Sequence, residues 1–189
     1  MGHTRCSEPL RFQKGKMVKN VPVIPVIALG VFLAAAGAMR GVSADAPSSD
    51  AAKSSPVDLV RTTPKGKLAN PYQDTQVDIV AQGEALFQRY TCSGCHGPAG
   101  AGALCPPVIN DIWVYGGDDD TLFRLIALGS DELQREGYSR IGHESIVAPM
   151  PPFGAVVHSS DDLWKILAYI RAHYAGDSAR KFGTPAAQH

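Results

Sequence analysis

Apolar and polar positions divide the chain before any motif is sought. Residues 21–39 carry no charge and follow a run holding Arg5, Arg11, Lys14, Lys16 and Lys19. Residues 45–76, rich in Ala, Ser, Pro, Lys and Thr, show no sustained periodicity. Helical spacing begins beyond them. Val77, Val80, Ala81, Ala85, Phe87 and Tyr90 mostly share one face of a helix over 77–90, with Asp74 or Thr75 as its cap. A second helix is predicted over 121–128. Asp118, Asp119 and Asp120 precede it and suit the positive end of its dipole, and Gly129 follows as a C′ residue. A third is predicted from about 161 to 174, capped by Ser160, with Leu163, Ile166, Leu167, Ile170 and Tyr174 as its apolar stripe.

The stretches between, 97–117 and 129–159, are rich in Gly and Pro, without strand alternation, and no internal repeat is visible. The expected fold is therefore all-α with long, ordered loops. Helices so few and short do not bury such loops unaided, so a large prosthetic group is expected in the core.

With 189 residues, 44% hydrophobic and 19% charged, the chain suits one domain plus appendages. These figures exclude a wholly disordered, a collagen-like or a multi-span membrane protein. The uncharged stretch lies between a basic run and Val42-Ser43-Ala44, which is the anatomy of a secretory signal cut before Asp45. At 44 residues the leader exceeds the usual ~15–30, whereas a start at Met17 shortens it to 28. The alternative is an uncleaved anchor, since 19 apolar residues approach the ~20 that span a bilayer. Pro22, Pro25 and the small-residue site favour cleavage, and with it no membrane insertion of the mature chain. The expected layout is a cleaved signal (1–44), a flexible or wrapping extension (45–76) with no fold of its own, a domain over 77–176, and a tail (177–189).

Cleavage changes the charge balance. The 18 basic and 18 acidic residues of the full chain become 12 and 17, a net charge of −5. That balance argues against nucleic acid as a partner and favours steering towards a basic protein surface.

Cys92-Ser93-Gly94-Cys95-His96 carries the chemistry. Two thiols three positions apart can each add to one vinyl group of a haem, and the adjacent imidazole is then placed under the iron, so C-x-x-C-H reads as c-type haem attachment. A thioredoxin-type dithiol would open a helix beside a βαβ pattern, which is not seen. A zinc site would need a second Cys or His pair at suitable spacing. The mature chain holds one methionine, Met150, between Pro149 and Pro151. A stiff loop suits a thioether as sixth iron ligand. A core methionine, or bis-histidine ligation by His143, His158 or His173, are the alternatives. A carbonyl of the Pro106-Pro107 turn is placed to accept from His96 Nδ1. Trp113, Tyr115 and Arg124 are possible donors to haem propionates, or simply packing residues. Cys105 is an odd thiol: a sensor or intermolecular partner, or a small buried apolar residue near the haem.

Residues 83–174 resemble the class I cytochromes c. The likeness rests on Gly83 and Phe87 in a Gly-x-x-x-Phe segment and on Ile166-Leu167-Ala168-Tyr169-Ile170, which look like that family's crossing terminal helices. The resemblance implies that fold around one covalent haem c, with Gly83 admitting an aromatic of the last helix and the Pro107 carbonyl holding His96. Asn110-Asp111-Ile112-Trp113-Val114-Tyr115-Gly116-Gly117, then Thr121-Leu122-Phe123, then Pro149-Met150, are similar to the cytochrome cL type. That likeness implies a periplasmic electron carrier with no catalytic activity of its own. Its donor would be a PQQ-dependent methanol dehydrogenase, of the calcium or the lanthanide form, and its acceptor another cytochrome c or a terminal oxidase. A Trp-x-Tyr-Gly-Gly segment also occurs in the dihaem subunit of some oxidases, from which this chain departs by its single C-x-x-C-H and its long segment 129–148. Other readings are a general shuttle, a membrane-tethered subunit, and a haem peroxidase or gas sensor with an open sixth position. Asp131, Glu132, Glu136 and Glu144 are expected to rim the haem edge and steer the partner.

Overall fold

A computed structural model of the chain describes residues 53–145 and 148–183. The secretory-signal reading of 1–44, and with it the choice between Met1 and Met17, lies outside the described residues, as do 45–52 and 184–189. In order come α1 (Pro56–Thr62), α2 (Val77–Arg89), α3 (Cys92–His96), α4 (Asp119–Arg135), α5 (Ser160–Ala172) and a 3-10 turn (Ser178–Arg180). No strand occurs among the described residues, and none of their helices is long and apolar enough to cross a membrane.

The core forms where α2 meets α5. Gly83, Leu86 and Phe87 of α2 are buried, together with Tyr90 just beyond it. The expected stripe is thereby corrected at its start: Val77 is 79% exposed, Ala81 and Ala85 face solvent, and Leu86 takes their place inside. The helix is capped by the Gln76 position, with no side-chain bond from Asp74 or Thr75. On α5, Leu163, Trp164, Ile166, Leu167, Ala168, Tyr169, Ile170 and Arg171 are all buried, so the helix is enclosed nearly all round. Its cap is Ser159, whose hydroxyl accepts from the Asp162 amide at 3.1 Å, one residue before the expected Ser160. Arg171 is a charge on this core helix. It bonds to the Lys181 and Gly117 carbonyls and to Asp119 at 3.1 Å. Burial pushes its pKa down, and Asp119 opposes that shift.

The predicted end of the second helix, at Gly129, is a kink. Asp118 caps α4 through the Thr121 amide at 2.9 Å, and the helix runs to Arg135 across Gly129, whose φ of 76° and ψ of 166° are not helical. Residues 130–135, expected as loop, form its second limb.

Within the stretch read as mobile or wrapping, α1 is an ordered helix. Ser55 caps it through the Asp58 amide at 3.1 Å, Pro56 occupies its first turn, and Val60 is 3% exposed. The amides of Lys67 and Leu68 donate to Asp120 Oδ1, Asn70 Nδ2 donates to the Trp164 carbonyl at 3.0 Å, and the Ser160 amide donates to the Ser54 carbonyl at 2.8 Å. Each tie reaches residues far along the chain, which explains why no local periodicity announced this packing.

Candidate functional site

Between α2 and α3 the backbone reverses sharply. Thr91 adopts φ 59° and ψ 20°, the left-handed region that a β-branched residue seldom enters. This single residue turns the chain so that α3 starts at Cys92. Loop 97–108 then folds back over α3. The Gly102 amide donates to the His96 carbonyl at 2.8 Å, the Cys105 amide to the Cys95 carbonyl at 2.9 Å, and the Val108 amide to the Gly100 carbonyl at 2.8 Å.

The fold-back sets the imidazole. His96 Nδ1 lies 2.7 Å from the Pro106 carbonyl oxygen. A carbonyl only accepts, so Nδ1 carries the proton and Nε2 keeps its lone pair for a metal. The acceptor is thus Pro106, one residue before the expected Pro107. The Pro107 ring lies against Gly102, where an added Cβ would meet its Cδ at 3.0 Å, and so serves as a wedge between loop and cleft.

His96 opens on a cleft walled by 25 residues. Cys92, Cys95, Pro107, Trp113, Tyr115 and Met150 line it too, with an apolar wall of Phe87, Leu122, Leu125, Ile126, Phe153, Leu167 and Ile170. The space greatly exceeds a packing defect, and its walls would not hold a body of water without polar partners. Cys95 is exposed and Cys92 half-buried. Burial pushes the Cys92 thiol up to about 11. Cys105 also lines the cleft, half-buried and unpaired, and burial followed by its contact with Cys95 raises it to about 11.

Other expected residues lie elsewhere or are already engaged. Trp113 donates its Nε1–H to the Arg180 carbonyl at 2.8 Å, so that donor is spent. Tyr115 accepts from Arg140 Nε at 3.2 Å, which leaves its own O–H to donate. Arg124 does not reach the cleft: it is 3% exposed, pairs with Asp120 at 2.8 Å and bonds to the Val60 and Thr63 carbonyls. His143, His158 and His173 do not line the cleft either. The expected acidic rim is also absent from its walls. Glu132 pairs with Arg135, Glu136 lies 4.0 Å from Arg124, and Glu144 accepts from Asn110 at 2.7 Å. Among the described residues no group of three His, Cys, Asp or Glu side chains is placed to hold a metal ion by itself. Ser130, missed in the sequence, lines the cleft and accepts the Met150 amide. Its only sequence signal is a small polar residue directly after a glycine.

These residues fit a haem. An imidazole with a free Nε2, a thioether and two thiols open on one apolar space large enough for a macrocycle, with water-excluding walls.

Residues 78–170 match the family described as cytochrome c oxidase, cbb3-type, subunit III. No curated protein matches the chain. Among solved structures the chain is similar to cytochrome CL from the marine methylotrophic bacterium Methylophaga aminisulfidivorans, at 27% identity with a TM-score of 0.43. That similarity covers 57% of this chain and 61% of the other, so the chain spans less than two thirds of that protein's length. With helices and no strand among its described residues, the stretch that this family matches, 78–170, is a cytochrome c-type domain, an electron-carrier unit whose cofactor is a covalently bound haem c.

Proposed function

We propose that the chain is a periplasmic one-electron carrier that takes electrons from a PQQ-dependent methanol or alcohol dehydrogenase and passes them to another cytochrome c or a terminal oxidase. The observation that carries the site assignment is the opening of the C-x-x-C-H turn and the sole methionine of residues 45–189 onto one apolar cleft. Cys92 and Cys95 hold the haem by thioether bonds, and His96 and Met150 ligate its iron. Pro107, Trp113 and Tyr115 form part of the wall. When bound, the haem supplies a reversible one-electron couple. The Pro106 carbonyl fixes the tautomer and plane of His96, and by drawing on the Nδ1 proton it leaves electron density on the ring, which makes Nε2 the better donor. Met150, held in a proline-flanked loop, closes the sixth position to substrates and favours a higher potential than a second imidazole would. No residue of the cleft has a proton to move, since the transfer makes and breaks no bond in a substrate.

The choice of donor rests on the likeness of residues 110–117 to the cytochrome cL type. The periplasmic location rests on the signal reading of residues 1–44. Stopped-flow mixing of the oxidised, haem-loaded protein with a methanol dehydrogenase and methanol tests the donor. Rapid, saturable haem reduction is expected. No reduction, with ascorbate still reducing the protein, would discard the methanol assignment and leave a general shuttle.

A second reading, a cytochrome subunit of a membrane oxidase, is favoured by the description of the matching family. Recovery of the protein in washed membranes together with oxidase activity would select it over the soluble carrier.

A further inference from the structure

The kink in α4 is where the loop that carries Met150 is sewn to the fold. In an uninterrupted helix each amide donates to the carbonyl four residues earlier, so the Ser130 amide would go to Ile126 and the Asp131 amide to Ala127. Gly129 breaks that pattern, and three of the displaced groups find partners in one segment. The Ser130 amide donates to the Met150 carbonyl at 2.9 Å, the Phe153 amide takes the Ile126 carbonyl at 2.9 Å, and the Gly154 amide takes the Ala127 carbonyl at 3.0 Å.

One side chain completes the seam. Ser130 Oγ accepts the Met150 amide at 3.0 Å, so Ser130 holds both backbone polar groups of Met150, one on each side of its Cα. Ser130 is 3% exposed, and water is poorly placed to replace its hydroxyl. Gly129 makes the approach possible. Its backbone lies in a region open essentially to glycine alone, and a Cβ there would stand 2.7 Å from the Met150 carbonyl oxygen.

We propose that Ser130 is a positioning residue for the sixth ligand: by fixing both backbone groups of Met150 it presents the thioether to the cleft and keeps that position closed. The proposal rests on the reading of Met150 as an iron ligand. It also assigns a role to the α4 kink beyond ending a helix, because the same break that frees the Ser130 amide supplies the carbonyls that anchor the two residues after Pro152.

Ser130→Ala removes only the hydroxyl, keeps the amide bond to the Met150 carbonyl and adds no bulk. It leaves the half-buried Met150 amide without its acceptor, a loss on the scale of about tenfold in an equilibrium. The experiment titrates imidazole into the haem-loaded ferric protein, wild type and Ser130→Ala, and records the long-wavelength absorption that a thioether-ligated ferric haem shows. Thermal unfolding followed at the Trp residues is measured alongside. Imidazole affinity about tenfold higher in Ser130→Ala than in wild type is expected, with Ser130→Thr, which keeps the hydroxyl, closer to wild type. If wild type has the thioether absorption, Met150→Ala loses it, and Ser130→Ala binds imidazole as wild type does, the positioning role is overturned while the ligand assignment stands. If wild type lacks that absorption, the ligand assignment fails and takes the positioning role with it. A general loss of packing would lower the unfolding temperature of Ser130→Ala without a selective gain in imidazole affinity, and that result also overturns the proposal.

Discussion

Gly83 on α2 and Tyr169 on α5 touch backbone to side chain: a Cβ at Gly83 would stand 2.8 Å from the Tyr169 Cβ and collide with the Lys165 carbonyl. The contact lets the Phe87 and Tyr169 rings meet at 5.4 Å, beneath the wall of the cleft. Alanine is the better helix former by about 1 kcal/mol. Here the added methyl meets a rigid backbone, where overpacking costs about 1–3 kcal/mol, so the packing term wins. Gly83→Ala is expected to lower the stability of the haem-loaded protein by about 1–2 kcal/mol in urea unfolding, and an unchanged midpoint would show that the two helices can slide apart freely.

Asp120 ties α4 to the N-terminal extension and gives the fold an acid limit. Burial alone would raise its carboxyl, but bonds from Arg124 and from the Leu68 amide outweigh burial and hold it below the usual range. A lowered carboxyl contributes stability above its unfolded pKa of about 3.9 and loses it as pH falls through the folded value. Asp120→Asn removes the nearer counter-charge of Arg124, which is 3% exposed, and leaves it only Glu136 at 4.0 Å. The variant is expected to lose about 3 kcal/mol at pH 7, with the gap to wild type narrowing below about pH 4. Urea unfolding at pH 7 and pH 3 checks this, and an equal gap at both would mean that the carboxylate charge is not the source.

What the sequence displays is what depends on near neighbours. Cys92, Cys95 and His96 stand in one turn, and Leu163, Ile166, Leu167 and Ile170 repeat at helical spacing, so both are legible in the sequence. Val77 shared that spacing yet lies outside, because the face that packs is set by Gly83 and its partner 86 residues on. The seam between Ser130 and Met150 needs a closed twenty-residue loop, and Val60 and Leu68 are buried by partners on α4 and α5. None of these partners shares a sequence window. The Pro106 acceptor differs from the expected Pro107 by one residue, since which carbonyl of a turn points inward depends on where the ring of the next proline lodges.

One indole helps to strap down the C-terminal segment, beside Arg171 on the Lys181 carbonyl and the ion pairs Arg180–Asp111 and Lys181–Asp74. Trp113 Nε1–H donates to the Arg180 carbonyl, while its ring stacks on Tyr174 at 5.8 Å and carries the Arg171 guanidinium at 5.2 Å. Trp113→Phe keeps an aromatic face and removes the donor. One hydrogen bond is worth about 1 kcal/mol net, which raises the opened population about fivefold. Trypsin cleavage after Arg180 or Lys181 should speed up by that factor in the native protein. Equal cleavage rates would show that the remaining ties, Arg171 on the Lys181 carbonyl and the ion pairs of Arg180 and Lys181, hold the strap without the indole donor.

Removal of the Met150 thioether separates an electron carrier from a haem protein that binds small molecules. No other sulfur of residues 45–189 stands outside the cysteines, and His143, His158 and His173 all lie off the cleft, so none of them can take up a vacated position without the loops moving. The ferrous wild-type protein is therefore expected to resist carbon monoxide at neutral pH, and ferrous Met150→Ala to bind it stoichiometrically. The reduction potential should fall in the same variant, because a thioether favours ferrous over ferric iron. Carbon monoxide binding to wild type at comparable affinity would mean that the sixth position is open already, and the chain would then be read as a sensor or a peroxidase. Binding by neither protein would point to a replacement ligand from the loops around the cleft, which the absorption spectrum of ferric Met150→Ala would identify as nitrogen, oxygen or the sulfur of Cys105.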